Sequence, residues 1–240
     1  MDLSNFRLTK PLANRFREVV SGSKDGSPKW VEEMASGGEG LFGIDSAVWE
    51  VHGSVSTIVG GVRALLLQAA HPAALTGVAE NSRYQSDPMG RLIGTTKWLT
   101  ITTFGSMEAI EREAKRVNSM HKHVVGEFKT KNGNKEHYEA RDPRYLLWVH
   151  CAFTDAFLKA HLAMKFPFKN GGDAYVKEWA KSAIPLGLNN APQSVAELEA
   201  ELERFRKEEL ATTNKTYDVV KFILKPPFSK IGRASCKERV

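Results

Sequence analysis

Cysteine is scarce in this sequence, and its scarcity excludes several classes of protein. Only two cysteines, Cys151 and Cys236, occur among 240 residues. They offer neither the close pairs of a zinc site nor the several bridges of a small secreted domain. The N-terminal stretch MDLSNFRLTKPLANRF also lacks the apolar segment of a secretory signal peptide. These absences predict a reducing, cytoplasmic environment and leave peripheral contact with a membrane open.

Long apolar runs, clustered charge and familiar catalytic motifs are missing as well. The sequence contains no run of about 18 or more apolar residues, which is the pattern that predicts a transmembrane helix. The formal net charge is +6, but Lys and Arg are scattered rather than gathered beside aromatic residues, so nucleic-acid binding is not expected. No HExxH motif, phosphate-binding loop, dinucleotide fingerprint or nucleophile elbow occurs. Any chemistry must therefore come from residues that the fold brings together.

Helical periodicity dominates the sequence and predicts an all-α fold with a single globular helical domain. Hydrophobic residues make up 42% and charged residues 26% of the chain, as in proteins with a sizeable core. Residues 1–40 contain Gly/Ser-rich breaks and are expected to form an N-terminal arm before a helical domain at 41–230. The last residues, IGRASCKERV, resemble a translated sequencing adapter. We therefore expect 231–240 to be an artefact and the native C-terminus to be missing.

The most informative stretch is 106–126, SMEAIEREAKRVNSMHKHVVG, where Ser106 as N-cap and Gly126 beyond the last turn predict a helix. At about 100° per residue, His121 joins the apolar stripe of this helix, whereas His123 points about 200° away, among charged residues. A buried imidazole needs a partner for its ring nitrogens. That partner is either a backbone carbonyl, as in an ordinary core histidine, or a metal.

A second helix is predicted at 88–104, because an Asp-Pro pair starts it and a glycine follows it. Its residues sort unusually, with Arg91, Thr95 and Trp98 on one face and Gly94 beside them. Such a face is turned either to a polar ligand or cavity, or to solvent.

Two further helices carry histidines. The apolar residues of 54–70 keep the spacing of an amphipathic helix, and His71 starts the next one. A helix at about 143–164 is apolar nearly all round, which predicts a central position, and His150 lies on its buried stripe. Between the histidine-bearing helices, 129–140 reads KTKNGNKEHYEA and is expected to be a polar loop, since no convincing period-two alternation occurs.

These histidines have two interpretations from the residues alone. A single histidine on a helix is how many proteins hold haem iron, with charged side chains for the propionates and a distal pocket that decides the oxygen chemistry. Equally, a buried histidine is often a core residue whose ring nitrogens are hydrogen-bonded. His71, His121 and His150 are open to both interpretations.

Several motifs, in order along the chain, resemble the catalytic domain shared by MpaB-type oxygenases and rubber oxygenase (latex-clearing protein). They are LFGIDSAVWEVHG, RALLLQAAHPAALTGVAENSRYQSDPMGRLIGTTKWLTITTFGS, RVNSMHKHVVG, YEARDPRYLLWVHCAFTDAF and AIPLGL. The resemblance runs from Leu41 to Leu224. It implies an all-α, globin-like core that binds haem b.

The resemblance also implies roles for particular residues. His121, in the R-V-x-x-x-H-x-x-V-x-G motif, would be the proximal iron ligand. Arg91 of D-P-x-G-R and Thr95 would lie in the distal pocket as catalytic residues, with Arg91 orienting dioxygen or a propionate. His71 and His150 match further motif histidines and are candidate cofactor-binding residues.

Two more positions bear on the expected site. Arg83 is an alternative partner for a haem propionate. Gly94 stands where rubber oxygenase carries a distal lysine, and Lys97 lies on another face of the same helix and cannot replace it. A lysine-capped iron and the cleavage of rubber itself are therefore not expected.

The sequence as a whole predicts a haem b-dependent oxygenase that uses O₂ to oxidise or cleave an alkene in a lipophilic, isoprenoid-like substrate. The alternatives are a haem-binding sensor or carrier without oxygenase turnover, and a helical scaffold whose histidines belong to the core.

Overall fold

The computed structural model describes residues 28–35, 38–81 and 86–225. The α-helices within these ranges are α1 (Lys29–Ala35), α2 (Ala47–His52), α3 (Ser56–Gln68), α4 (Pro72–Asn81), α5 (Pro88–Phe104), α6 (Met107–His121), α7 (Pro143–Ala163), α8 (Gly171–Trp179), α9 (Val195–Glu208) and α10 (Asn214–Leu224). A 3₁₀ helix spans Ala180–Leu186, and β1 (Val125–Lys129) pairs with β2 (Lys135–Glu139). The all-α prediction is confirmed. Most of the predicted N-terminal arm and all of 231–240 lie outside the described residues.

Capping residues set the helix starts locally. The Asp87 carboxylate accepts a hydrogen bond from Gly90 N at 2.9 Å, and the Asp142 carboxylate accepts one from Arg144 N at 2.8 Å. Each cap satisfies a backbone N–H that has no partner inside the helix, and a proline follows each as the first helical residue. Ser106 caps α6 in the same way. The helices predicted to start at these three residues are therefore confirmed.

Helix α7 lies at the centre of the fold, as its apolar circumference predicts. Trp148, Cys151 and Phe157 are almost fully buried in the main core, together with residues of α2, α8 and α9. Burial raises the pKa of the Cys151 thiol to about 12, so this cysteine is a protonated core side chain.

Helix α3 packs along α7 through a face that the amphipathic spacing does not indicate. Its buried residues include Ser56, Gly60 and Ala64, whereas the apolar stripe is on the outside. Val55, Ile58, Val59 and Val62 are between 41% and 53% exposed. Small residues at every fourth position let two helix backbones approach closely, and that packing outweighs the burial of larger side chains. Periodicity correctly predicts this helix, but the first half of its apolar stripe is exposed rather than buried.

Gly60→Ala is expected to destabilise the fold by about 1–3 kcal/mol, since overpacking costs this much. A Cβ at Gly60 would lie 2.5 Å from Phe157 Cδ1 and 3.0 Å from Phe157 Cα, so the α7 backbone would have to move. Urea unfolding measures the change. The matched control is Gly61→Ala, whose Cβ meets nothing within 4 Å. It should instead gain about 0.5–1 kcal/mol from helix propensity, and equal effects at the two positions would contradict the packing argument.

The chain after His121 departs from the prediction. Helix α6 ends at His121, and Gly126 lies inside strand β1 rather than at the helix end. The predicted polar loop is the turn and second strand of a hairpin, in which Gly126 faces Tyr138 across the sheet. Each strand buries only one aromatic side chain, Phe128 or Tyr138, so the period-two signal is too short to stand out. His123 is exposed in the connection.

No single helix among the described residues combines the length and apolarity of a membrane span. The segments Ser56–Gln68 and Pro72–Glu80 reach that length and apolarity only when they are taken together. They are bent by 102° at the break between them.

Candidate functional site

A cavity of about 520 Å³ opens among helices α3 to α7, the β-hairpin and the 3₁₀ helix. Its volume is within the range of about 300–1,000 Å³ that is typical of cofactor and ligand sites. The walls are mostly apolar, and a smaller set of polar side chains converges on the space: Gln68, Asp87, Arg91, Thr95, Trp98, Arg116, His121, Tyr138, Tyr145, His150 and Ser182. The cavity therefore has the composition of a binding site for a largely apolar ligand with a few polar groups.

His121 is the last residue of α6, and it lines this cavity. Its Nδ1 is enclosed, and no hydrogen-bond partner for that atom occurs among the described residues. Burial lowers the pKa of His121, and the charges of Arg116 and Arg91 lower it further. The imidazole is thus neutral at pH 7, which is the form that binds metals. A buried ring nitrogen without a partner usually indicates a missing ligand or solvent molecule.

His150 contributes a second neutral imidazole, from the middle of α7. Burial lowers its pKa to about 4, and its Nε2 is likewise enclosed without a partner in the described part of the chain. Because His121 and His150 come from different helices, only the tertiary fold brings them to the same cavity.

The polar face of α5 also lines the cavity, which favours the ligand-facing interpretation of that face over the solvent-facing one. Burial lowers the pKa of the Arg91 guanidinium, and no carboxylate in the described ranges forms an ion pair with it. Thr95 Oγ1 donates to the Arg91 carbonyl at 3.2 Å. A Cβ at Gly94 would meet nothing within 4 Å, so the wall is open at this position.

His71 is buried but does not line the cavity. Its Nδ1 accepts a hydrogen bond from Ala73 N at 3.2 Å, so Nε2 carries the hydrogen and donates to Glu209 Oε2 at 3.0 Å. Glu209 also pairs with Arg144 and Arg204. These contacts occupy both ring nitrogens of His71 and tie the start of α4 to the end of α9, and its role in cofactor binding stays a prediction. Arg83 lies outside the described residues.

Glu209→Gln should lower the free energy of unfolding by about 2 kcal/mol at pH 7. Burial alone would raise the pKa of Glu209, but hydrogen bonds from His71 and Arg204 and the charge of Arg144 lower it to about 2. Because the folded pKa is below the usual 4.5, this stabilisation is complete above about pH 5 and is lost as the pH falls toward 2. Urea unfolding at pH 7, 5 and 3 measures it.

The matched control is Glu199→Gln, which removes an exposed partner of Lys159 and should change stability by less than about 0.5 kcal/mol. An unchanged pH dependence in the Glu209 variant would contradict the assignment.

Several polar lining residues were not identified from the sequence, among them Arg116, Tyr138 and Tyr145. Burial raises the pKa of Tyr138 to about 12, so its hydroxyl stays protonated. A Cβ at Gly77 would lie 2.6 Å from the Tyr138 ring, so a glycine there makes room for the tyrosine. Tyr138 depends on the unrecognised hairpin, and Arg116 lies in the histidine motif without any local signal that it faces a cavity.

The donor atoms of the cavity favour particular kinds of metal centre. Among the described residues, no three His, Cys, Asp or Glu side chains gather closely enough to hold a metal ion. A metal in this cavity would therefore be bound by one or two imidazoles, with further ligands supplied by water or a cofactor.

Comparison with known proteins identifies the family. No curated protein and no solved structure matches the chain, so the globin-like arrangement of the core stays a prediction. The family model described as "ER-bound oxygenase mpaB/B'/Rubber oxygenase, catalytic domain" matches residues 49–236. That match covers most of the chain and includes every residue lining the cavity, from Leu65 to Leu188. The chain therefore belongs to the family of MpaB and rubber oxygenase catalytic domains.

Proposed function

We propose that this chain is a haem b-dependent oxygenase that oxidises or cleaves an alkene in a lipophilic, isoprenoid-like substrate. Membership of an oxygenase family supports the use of O₂ and a small-molecule substrate. The observation that carries the haem proposal is His121, a neutral imidazole on the wall of a large apolar cavity, whose enclosed Nδ1 has no partner among the described residues.

The residues present fit haem b. The walls offer apolar surface for a porphyrin, Gly94 leaves one side open, and the guanidinium groups of Arg91 and Arg116 suit carboxylates. His121 would hold the iron, and His150 stays in the cavity as a second neutral imidazole. When bound, the haem supplies the oxygen chemistry, and the protein supplies orientation and electrostatics.

Other cavity residues have roles that follow from their own chemistry. Arg91 places hydrogen-bond donors and a positive charge beside the reacting groups, and the Thr95 hydroxyl is a further polar group on the same face. Leu99, Val149 and Phe153 form apolar wall that excludes water and suits a hydrocarbon chain.

Lysine does not contribute to the described cavity wall. Lys97 instead forms an ion pair with Glu113 at 3.3 Å and is absent from the cavity wall. This supports a substrate and resting state that differ from those expected of a lysine-capped site.

Reconstitution of the full chain with haemin tests the proposal. A Soret band is expected, together with O₂ consumption when squalene is added. If the double bond is cleaved, two carbonyl products should form, and each should carry one of the two oxygen atoms of ¹⁸O₂. A Soret band without turnover would favour the sensor or carrier, and no haem uptake would favour a scaffold with core histidines.

A further inference from the structure

We infer that Arg116 binds a carboxylate of the cavity's ligand at the cavity mouth, and that Glu113 positions it. This inference rests on the proposed function. Arg116 lines the cavity, and its side chain is 42% exposed, which places it between the interior and solvent.

The hydrogen bonds of Arg116 leave one edge of its guanidinium free. Nε and Nη2 both donate to Glu113 Oε1, at 2.9 and 2.6 Å. Nη1 has no partner within the described ranges, so Nη1 and the second Nη2 hydrogen form a fork with two parallel donors. Such a fork matches the two oxygens of a carboxylate. The Glu113 side chain is only 3% exposed, so the guanidinium is held against a fixed group.

The charges around the cavity do not balance. Besides Arg116, Glu113 also pairs with Lys97, so one buried carboxylate serves two cations. Arg91 adds a further cation without an acidic partner among the described residues. Asp87, also on the wall, caps the start of α5. Among the described residues, the charged side chains on the wall itself are the cations Arg91 and Arg116 and the carboxylate Asp87, while Glu113 lies behind the wall and is shared with Lys97. An anionic group on the ligand would offset the excess positive charge.

The ligand chemistry is therefore a carboxylate on an otherwise apolar molecule. It can belong to a propionate of the porphyrin or to an acidic isoprenoid substrate. Esterification removes the negative charge from either one with little change in its shape, so paired acid and ester ligands isolate the contribution of the carboxylate.

The test compares the dissociation constants of haem and haem dimethyl ester, measured by absorbance titration. The parent should prefer the free acid. If a haem propionate is the carboxylate, Arg116→Gln should weaken binding of the free acid by about tenfold and leave binding of the ester within about twofold of the parent. Arg112→Gln is the matched control, because Arg112 lies one turn away on α6, pairs with Glu108 and is absent from the cavity wall. It should change neither constant.

A second arm compares the dissociation constants of geranylgeranoic acid and its methyl ester for the haem-loaded protein. If the substrate supplies the carboxylate, Arg116→Gln should reduce the preference for geranylgeranoic acid over its ester. The preference for haem over haem dimethyl ester should then stay unchanged. Acid-to-ester preferences that stay at the parent values in both arms would overturn the inference. If the parent took up no haem, the proposed function would fail, and the isoprenoid pair on the haem-free protein would still decide the role of Arg116.

Two variants of Glu113 test its positioning role. Glu113→Gln keeps an oxygen that accepts from Arg116, so the acid preference should be at least as large as in the parent. Glu113→Ala removes that contact and should lose the preference several-fold. If Glu113 had only a structural role, its replacement would weaken the binding of acid and ester equally. The positioning role would be overturned if Glu113→Ala kept the acid-to-ester preference of the parent. It would also be overturned if Glu113→Gln lost as much of that preference as Glu113→Ala.

Discussion

His121→Ala is expected to abolish haem retention while the helical fold persists. The proposed iron ligand is a neutral imidazole that lines the cavity and has a ring nitrogen without a partner in the described part of the chain. Alanine offers no lone pair in its place. The measurement is the Soret absorbance that survives gel filtration of the reconstituted protein, with circular dichroism to confirm folding.

Two other histidines serve as controls for this prediction. His123 is exposed beyond the end of α6, so His123→Ala should retain haem as the parent does. His150→Ala should loosen haem without releasing it, because the variant keeps His121. Release of haem by the His150 or His123 variant, with retention by the His121 variant, would overturn the assignment of the ligand.

Arg91→Ala should keep the fold and lose O₂ consumption by at least about tenfold, the scale of one missing electrostatic donor. A cation in the first turns of a helix is disfavoured by some tenths of a kcal/mol. A charge-assisted hydrogen bond to an anionic or developing negative group would offset that several times over. Arg91 lines the cavity without a carboxylate partner among the described residues, which suits such a contact.

The rate must be measured with squalene at equal haem occupancy, so that loss of cofactor and loss of turnover are separated. Arg112→Ala is the control for removing a positive charge from an exposed helix position. Turnover by the Arg91 variant at the parent rate would show that this guanidinium has no part in the reaction.

The hairpin and helix α3 show where local patterns stop being informative. Tyr138 lines the cavity only because its strand pairs with β1 and Gly77 leaves room for its ring. The apolar stripe of α3 obeys helical spacing, but the helix buries the opposite, small-residue face against α7. Both outcomes depend on residues distant in sequence, which a local pattern does not contain.

The sequence by itself determined the helix starts, the all-α class and the spacing that puts Arg91 and Thr95 on one face, since caps and periodicity act between residues within one or two turns. Only the tertiary structure decided which faces are buried and which histidines share a cavity. His121 and His150 meet there across separate helices, whereas His71 pairs with Glu209, 138 residues away. Burial and ion pairing are free energies of the packed whole, so only the packing decides that His71 makes a core contact while His121 and His150 line the candidate site.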